Sequence, residues 1–209
     1  MILFKKIGII GLGFVGDSMY KSFSLKGLEK NINLIGYDKY KDGGIGKFED
    51  ILCCDILFLA LPTKYNDKIG QYDKKSITDT CKLLLANNYT GVIVIKSTVE
   101  PGTTNNLSKI FKKLEFIHNP EFLTARSAFE DFHNQNHIVL GNGLTCSKNS
   151  VIKVKQFYNL CYPNADISLC TSLESESMKL FVNCFYSVKV QFFTELYLLC
   201  KKNGSDFNV

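Results

Sequence analysis

A chain that carries Lys5–Gly16, K-K-I-G-I-I-G-L-G-F-V-G, has few ways to fold. The apolar run Ile7–Ile10 ends in Gly11-x-Gly13-x-x-Gly16, and a helix-like segment follows. A dinucleotide-binding strand–turn–helix requires that order. Gly11 lets the chain turn sharply off the strand, and Gly13 removes a Cβ where a pyrophosphate must touch backbone. Gly16 lets the new helix pack closely on the sheet. Leu12, Phe14 and Val15 complete the turn, whose free N–H groups face the phosphates. Alone the pattern is weak, because glycines in turns are common. Asn33–Tyr37 strengthens it, reading as a second buried strand that ends at Asp38. A carboxylate there can accept both hydroxyls of an adenosine ribose, and it repels a 2′-phosphate. The interval from the glycines exceeds the usual ~20 residues, which a longer first helix would explain. The plain alternative is a βα turn with an incidental aspartate.

The 209 residues suit one large α/β domain, or one domain and part of another, and 45% apolar content supports a substantial core. Met1–Lys6 is too short for a signal peptide and runs directly into the first strand. Leu180–Leu199 is the most apolar stretch, but Asn183, Lys189, Gln191 and Glu195 interrupt it, so no membrane span is expected. Eight cysteines are scattered without C-x-x-C or a histidine at metal spacing. They read as reduced and mostly buried, which implies a cytoplasmic compartment and no metal. The net charge of +5 comes almost wholly from dispersed lysines, with Arg126 the single arginine. Nucleic-acid readers depend on bidentate arginine clusters, so no nucleic-acid partner is expected.

Strands and helices alternate along the first two thirds. After the glycine-rich loop Lys39–Lys47 come a short helix near Phe48–Cys53 and a strand, Ile56–Ala60. Helices are predicted at Lys75–Asn87, Asn105–Lys113 and Lys148–Cys161, and further strands at Val92–Lys96, Glu115–His118, Ile138–Gly141 and Asp166–Leu169. This repetition predicts an α/β fold, a Rossmann-type doubly wound parallel sheet with helices on both faces. Leu61-Pro62-Thr63, Lys96–Gly102 and His118–Leu123 follow strand ends, where the ligand crevice of such a sheet lies.

At these segments the chain resembles the UDP-glucose/GDP-mannose dehydrogenases. The similarity is collinear through G-L-G-F-V-G, Leu59–Thr63 (L-A-L-P-T), Ile95–Thr103 (I-K-S-T-V-E-P-G-T), Asn119–Leu123 (N-P-E-F-L), Ala128–Phe132 (A-F-E-D-F) and Glu176–Asn183. N-P-E-F-L after S-T-V-x-P-G-T is a specific combination.

The resemblance implies a nucleotide-sugar dehydrogenase that oxidises a primary alcohol to the carboxylate with two NAD+. It implies that Gly11–Gly16, Asp38, Thr63 and Thr98 contact NAD. Glu121 would act as a general acid/base, and Phe122, Leu123 and Thr124 would hold the nucleotide sugar partly through backbone groups. Lys179 and Asn183 would steady the developing alkoxide, and their spacing stacks them on one helix face. Such a cation and base make chemical sense, since hydride leaves only as the alcohol proton departs. The plain readings are a surface lysine for Lys179, a helix N-terminal carboxylate for Glu121 and a turn cap for Thr98.

The departures are also informative. The family's second glutamate, four residues after the first, is Ala125 here, and Arg126 follows. Arg126 pairs with Glu130 in the plain reading and reaches a substrate phosphate in the other. His137 replaces a usual arginine, and no basic residue beyond Asp38 aligns clearly, although Lys39 and Lys41 lie nearby. Family members continue into a second domain with a nucleophilic cysteine, whereas this sequence stops at Val209. Cys184, beside Asn183 but turned about 100° away, reads as a core thiol.

The resulting expectation is an NAD-binding domain over 1–171, followed over 172–209 by the start of a helical dimerisation domain. A homodimer would form through helix 172–202, whose apolar residues exceed what one sheet can bury. The alternatives are a β-hydroxyacid dehydrogenase of the 6-phosphogluconate type and a non-catalytic NAD-binding module.

Overall fold

The computed structural model describes residues 4–27, 32–68 and 70–208. The lead-in at 1–3 and the terminal Val209 lie outside the described residues.

A seven-stranded sheet forms the centre, its strands side by side in the order Asn33–Tyr37, Lys6–Ile10, Ile56–Leu59, Val92–Ile95, Glu115–His118, His137–Asn142 and Asp166–Thr171. Its strands are β1 (Lys6–Ile10), β2 (Asn33–Tyr37), β3 (Ile56–Leu59), β6 (Val92–Ile95), β7 (Glu115–His118), β8 (His137–Asn142) and β9 (Asp166–Thr171). β3 (I-L-F-L) and β6 (V-I-V-I) are buried at every residue, as central strands covered on both faces must be. The helices are α1 (Phe14–Gly27), α2 (Phe48–Ile51), α3 (Lys75–Ala86), α4 (Thr103–Ile110), α5 (Ala128–His133), α6 (Lys148–Cys161) and α7 (Ser172–Asn203). One apolar layer gathers Phe23, Phe58, Phe132, Phe157 and Tyr158, with Phe23 edge-on to Phe157 at 4.8 Å between ring centroids. The opposite layer gathers Ile51, Ile77, Leu84, Leu107 and Phe111.

The sheet is not wholly parallel. β7 and β8 pair antiparallel, His118 opposite Gly141, whereas β8 and β9 are parallel to one another. Residues 119–136, with the 3-10 turn Ala125–Ser127 and the six-residue α5, bring the chain into β8 from the end at which β7 stops. A small antiparallel hairpin, β4 (Tyr65–Asn66) with β5 (Gln71–Tyr72), also escapes the sequence reading. Glu100 holds it, accepting from Tyr72 N at 2.6 Å and pairing with Lys74 at 2.7 Å. α1 is 14 residues long, and residues 28–31, which complete the long connection to β2, lie outside the described residues.

α7 begins with a capping box in which Thr171 and Glu174 bond reciprocally. Its first turns are latched to the sheet by polar contacts. Ser172 Oγ donates to Asn105 Oδ1 at 2.9 Å, and Ser175 Oγ lies 2.5 Å from His118 Nδ1. Buried Glu176 accepts the N–H groups of Gly102 and Thr104, at 2.6 and 2.7 Å, where α4 begins. Such a carboxylate suits the positive end of a helix. Gly141 permits this approach, since a Cβ there would stand 2.4 Å from that of Ser175. Beyond these turns the helix leaves the sheet. Every residue from 183 to 199 is exposed, so the sheet buries none of this stretch. Cys184 is accordingly an exposed thiol and not a core one. Of the eight free cysteines, Cys54, Cys81 and Cys161 are buried, fewer than the sequence suggested. Among the described residues no helix is long and apolar enough to cross a membrane.

Candidate active site

The first turn of the nucleotide-binding unit is shaped by backbone contact. Gly11 has φ +90°, and a Cβ there would stand 2.4 Å from the Ala60 carbonyl oxygen. A Cβ on Gly16 would reach 1.8 Å from the Gly11 carbonyl oxygen, so the first turn of α1 tolerates no side chain there. At Gly13 the corresponding position has nothing within 4 Å, leaving the backbone open to a phosphate. These features fit a dinucleotide, as does the carboxylate of Asp38 at the end of β2.

Asp38 Oδ2 accepts from Leu12 N at 2.8 Å, and Oδ1 from Tyr40 N and Lys41 N at 2.9 and 3.0 Å. Burial works against its charge, but these three N–H bonds outweigh it and hold its pKa below the usual carboxylate value. That shift adds folding stability that is fully present above the ordinary aspartate range and lost as pH falls through the lowered value. A carboxylate offers about four acceptor positions, so roughly one remains for a ribose hydroxyl. Of the two lysines that follow Asp38, Lys41 is the one that reaches the glycine turn. Its Nζ donates to the Leu12 carbonyl at 2.8 Å and lies 3.4 Å from Asp17, whereas Lys39 lies over the ring of Tyr40.

A cleft of about 1000 Å³ runs from this turn across the carboxyl ends of β1, β3 and β6. Gly11, Gly13, Phe14, Val15, Asp38, Thr63, Thr98, Glu121, Leu123 and Lys179 all line it. Leu12 and Gly16 support the turn from behind. Thr63 Oγ1 donates to the Thr98 carbonyl at 2.7 Å, and Ser97 Oγ donates to the Leu61 carbonyl at 2.7 Å. Both bonds tie the two strand-end loops together.

At the far end, Lys179 Nζ donates to the Glu121 carbonyl and stands 5.3 Å from the Phe122 ring centre. Burial lowers the Lys179 pKa, with Glu121 opposing and Lys96 reinforcing the shift. Lys96 ends the apolar run of β6 and is 3% exposed. Its Nζ lies 2.6 Å from Glu121 Oε2 and donates to Asn119 Oδ1 at 2.9 Å. Asn119 also receives Tyr158 OH and donates to the Val139 carbonyl at 2.7 Å. Next to this network, burial and the charge of Lys96 push the His118 pKa down to about 3, so the imidazole is neutral. The sequence reading missed Lys96, Asn119, Tyr158 and Glu176 as site supports. A lysine directly after V-I-V-I was the available signal, because such a residue must be buried and therefore paired.

The remaining candidates lie outside the cleft wall. Asn183 is one helical turn beyond Lys179 and exposed. Phe122 is partly exposed, its N–H bonded to its neighbour's Glu121 Oε1 at 3.1 Å, and the Thr124 N–H is held by Asp131 at 2.8 Å. Two of the three backbone donors in Phe122–Thr124 are thus already engaged. Arg126 forms no ion pair with Glu130 among the described residues, contrary to the plain reading of that pair. No metal-binding group of acidic, histidine or cysteine side chains occurs among the described residues.

Fold and cleft together define a dinucleotide-binding domain of the dehydrogenase class. Residues 46–160 match the UDP-glucose/GDP-mannose dehydrogenase family, NAD binding domain, and the chain belongs to that family. It is 29% identical to the UDP-glucose 6-dehydrogenase of Campylobacter jejuni, over 95% of this chain and 57% of that protein. With the UDP-glucose 6-dehydrogenase of Rickettsia prowazekii it shares 34% identity, over 73% of this chain and 36% of the relative. The solved UDP-glucose dehydrogenase of Pyrobaculum islandicum superposes with a TM-score of 0.81 at 23% identity, covering 98% of this chain and 55% of that one. The chain therefore spans about half the length, or less, of these proteins.

Proposed function

We propose that this chain supplies the NAD-binding half of a nucleotide-sugar dehydrogenase and the residues for its hydride-transfer chemistry. The observation that carries this reading is the placement of Lys179 and Glu121 in one cleft with the glycine turn and Asp38. NAD, when bound, supplies the hydride acceptor. The turn of Gly11–Gly16, with Asp38, Thr63 and Thr98, holds the cofactor, and Phe122, Leu123 and Thr124 border the nucleotide sugar. Lys179 keeps two N–H donors beyond the one given to the Glu121 carbonyl. Aimed at an alcohol oxygen, they stabilise the negative charge that develops as the proton leaves, and partial burial strengthens that attraction. Glu121, steadied by Lys96, takes part in proton transfer through water. Asn183 joins once its exposed turn of α7 is covered.

No cysteine lines the cleft among the described residues. This chain alone is therefore assigned oxidation of the alcohol, without the further step to the acid. The exposure of Asn183, outside the cleft wall, favours the second reading, an NAD-binding module without turnover. Assays of NADH formation with UDP-glucose and with 6-phosphogluconate separate the readings. UDP-glucose alone should support turnover, and Lys179→Ala should lower kcat roughly 100-fold with little change in KM. Turnover with 6-phosphogluconate alone would mark a β-hydroxyacid dehydrogenase, and none with either the non-catalytic module. Sugar-acid formation by this chain would contradict the limit set here.

The exposed stretch of α7 supports a homodimer through helix 172–202, the start of a separate helical region after residue 171. Phe181 is 70% exposed and Phe185 62%, and Val188, Phe192 and Leu199 continue the apolar surface. Soluble monomers rarely carry contiguous patches beyond a few hundred Å², and a second copy of the helix would cover this one. Sedimentation should show a dimer, and a stable monomer at micromolar concentration would refute the pairing. The free thiols support a reducing, cytoplasmic setting.

A further inference from the structure

Arg126, the single arginine of the chain, stands beside the glycine turn with no ion-pair partner among the described residues, and we propose that it clamps the diphosphate of the bound dinucleotide. The inference rests on NAD as the ligand of the cleft.

A second cavity of about 460 Å³ opens beside the turn, with Gly13, Phe14, Asp17, Lys41, Arg126 and Glu130 on its wall. Gly13, Phe14 and Lys41 also border the main cleft, so the two spaces meet where α1 begins. A diphosphate placed there is met by backbone N–H groups and the positive end of α1. The other cation nearby is committed. Lys41 Nζ is bonded to the Leu12 carbonyl and paired with Asp17, which Lys21 also holds at 2.7 Å. Glu130 shares the cavity wall with Arg126 but forms no ion pair with it.

The backbone that presents Arg126 is fixed. It lies in the 3-10 turn Ala125–Ser127, and Asp131 accepts from both Thr124 N at 2.8 Å and Ser127 Oγ at 3.0 Å. The Ser127 N–H donates to the Thr124 carbonyl at 3.1 Å, closing the turn. A short, pinned segment leading into α5 therefore places Arg126 on the wall of the second cavity. The guanidinium fork matches phosphate oxygens bidentately, which a lysine cannot do.

Calorimetric titration of the full chain with NADH, ADP-ribose and adenosine tests the assignment. Arg126→Ala should weaken NADH and ADP-ribose by about the same factor, tenfold or more for a charge-assisted contact. Adenosine affinity should stay unchanged, and Arg126→Lys should fall between the two. As the side chain is exposed, neither substitution disturbs the core. NADH and ADP-ribose bound by Arg126→Ala as tightly as by the unaltered chain would overturn the proposal, as would an equal loss for adenosine. Failure of the unaltered chain to bind ADP-ribose would instead remove the NAD assignment, and the clamp with it.

Discussion

Lys96→Met is expected to destabilise the domain by about 3–5 kcal/mol, the cost of breaking a buried ion pair from one side. The ammonium is almost wholly enclosed, and its carboxylate partner is Glu121 at 2.6 Å. Methionine fills similar space but leaves Glu121 without its cation in a site about 10% exposed. It also removes the donor to Asn119, whose Oδ1 would keep only the Tyr158 hydroxyl. A domain of this size is stable by only about 5–15 kcal/mol, so the variant should stand close to unfolding. Adding Glu121→Gln removes the stranded charge, and the double variant should recover most of the loss. Urea unfolding of the parent, Lys96→Met, Glu121→Gln and the double variant at neutral pH measures this directly. A single variant within about 1 kcal/mol of the parent would mean that the pair behaves like a surface salt bridge. A double variant no better than the single one would mean that the charge of Glu121 is not what makes the loss.

The sheet was legible because its strands are continuous apolar runs bounded by turn residues. Ile56–Leu59 and Val92–Ile95 could hardly be anything else in a chain that alternates with helical periods. The reversal at β8 was not legible. Its connection, residues 119–136, is as long as the 38–55 connection that leads into the parallel β3, so length does not tell the two directions apart. The β4–β5 hairpin was missed because each strand has two residues, too few for any alternation to register. In the site, the glycine turn and Asp38 could be read because their roles are backbone roles tied to fixed positions. The Lys96–Glu121 pair could not, since residues 25 apart in sequence meet only through the β6–β7 register, in which Ile95 lies opposite His118. Glu176 was hidden for the same reason. Its partners are backbone N–H groups of a helix more than 70 residues away. Along α7 the apolar surplus was visible, but not that the helix leaves the sheet after two turns, because an amphipathic count shows how much must be covered and not by what.

Discrimination between the two dinucleotides is expected to be at least about 100-fold in favour of NADH over NADPH, since opposed like charges cost several kcal/mol. Asp38 stands at the end of β2 with its carboxylate fixed by three backbone N–H groups, so it cannot swing aside to admit a second anion. Its lowered pKa keeps it charged through the ordinary aspartate range. Preference for NADH should accordingly hold at mildly acidic pH and fade only as Asp38 gains a proton below that range. Asp38→Ala removes the repulsion and leaves Lys41, which now leans on the Leu12 carbonyl and Asp17, close enough to attract a phosphate. The two affinities should then approach within about tenfold of one another.

Fluorescence titration of the full chain with NADH and with NADPH at neutral pH, before and after Asp38→Ala, tests most directly that this fold is an NAD-binding domain built on the glycine turn and Asp38. Saturable NADH binding, much weaker NADPH binding and a narrowed gap in the variant are the predicted results. No saturable NADH binding, or equal affinities for the two dinucleotides in the unaltered chain, would contradict it.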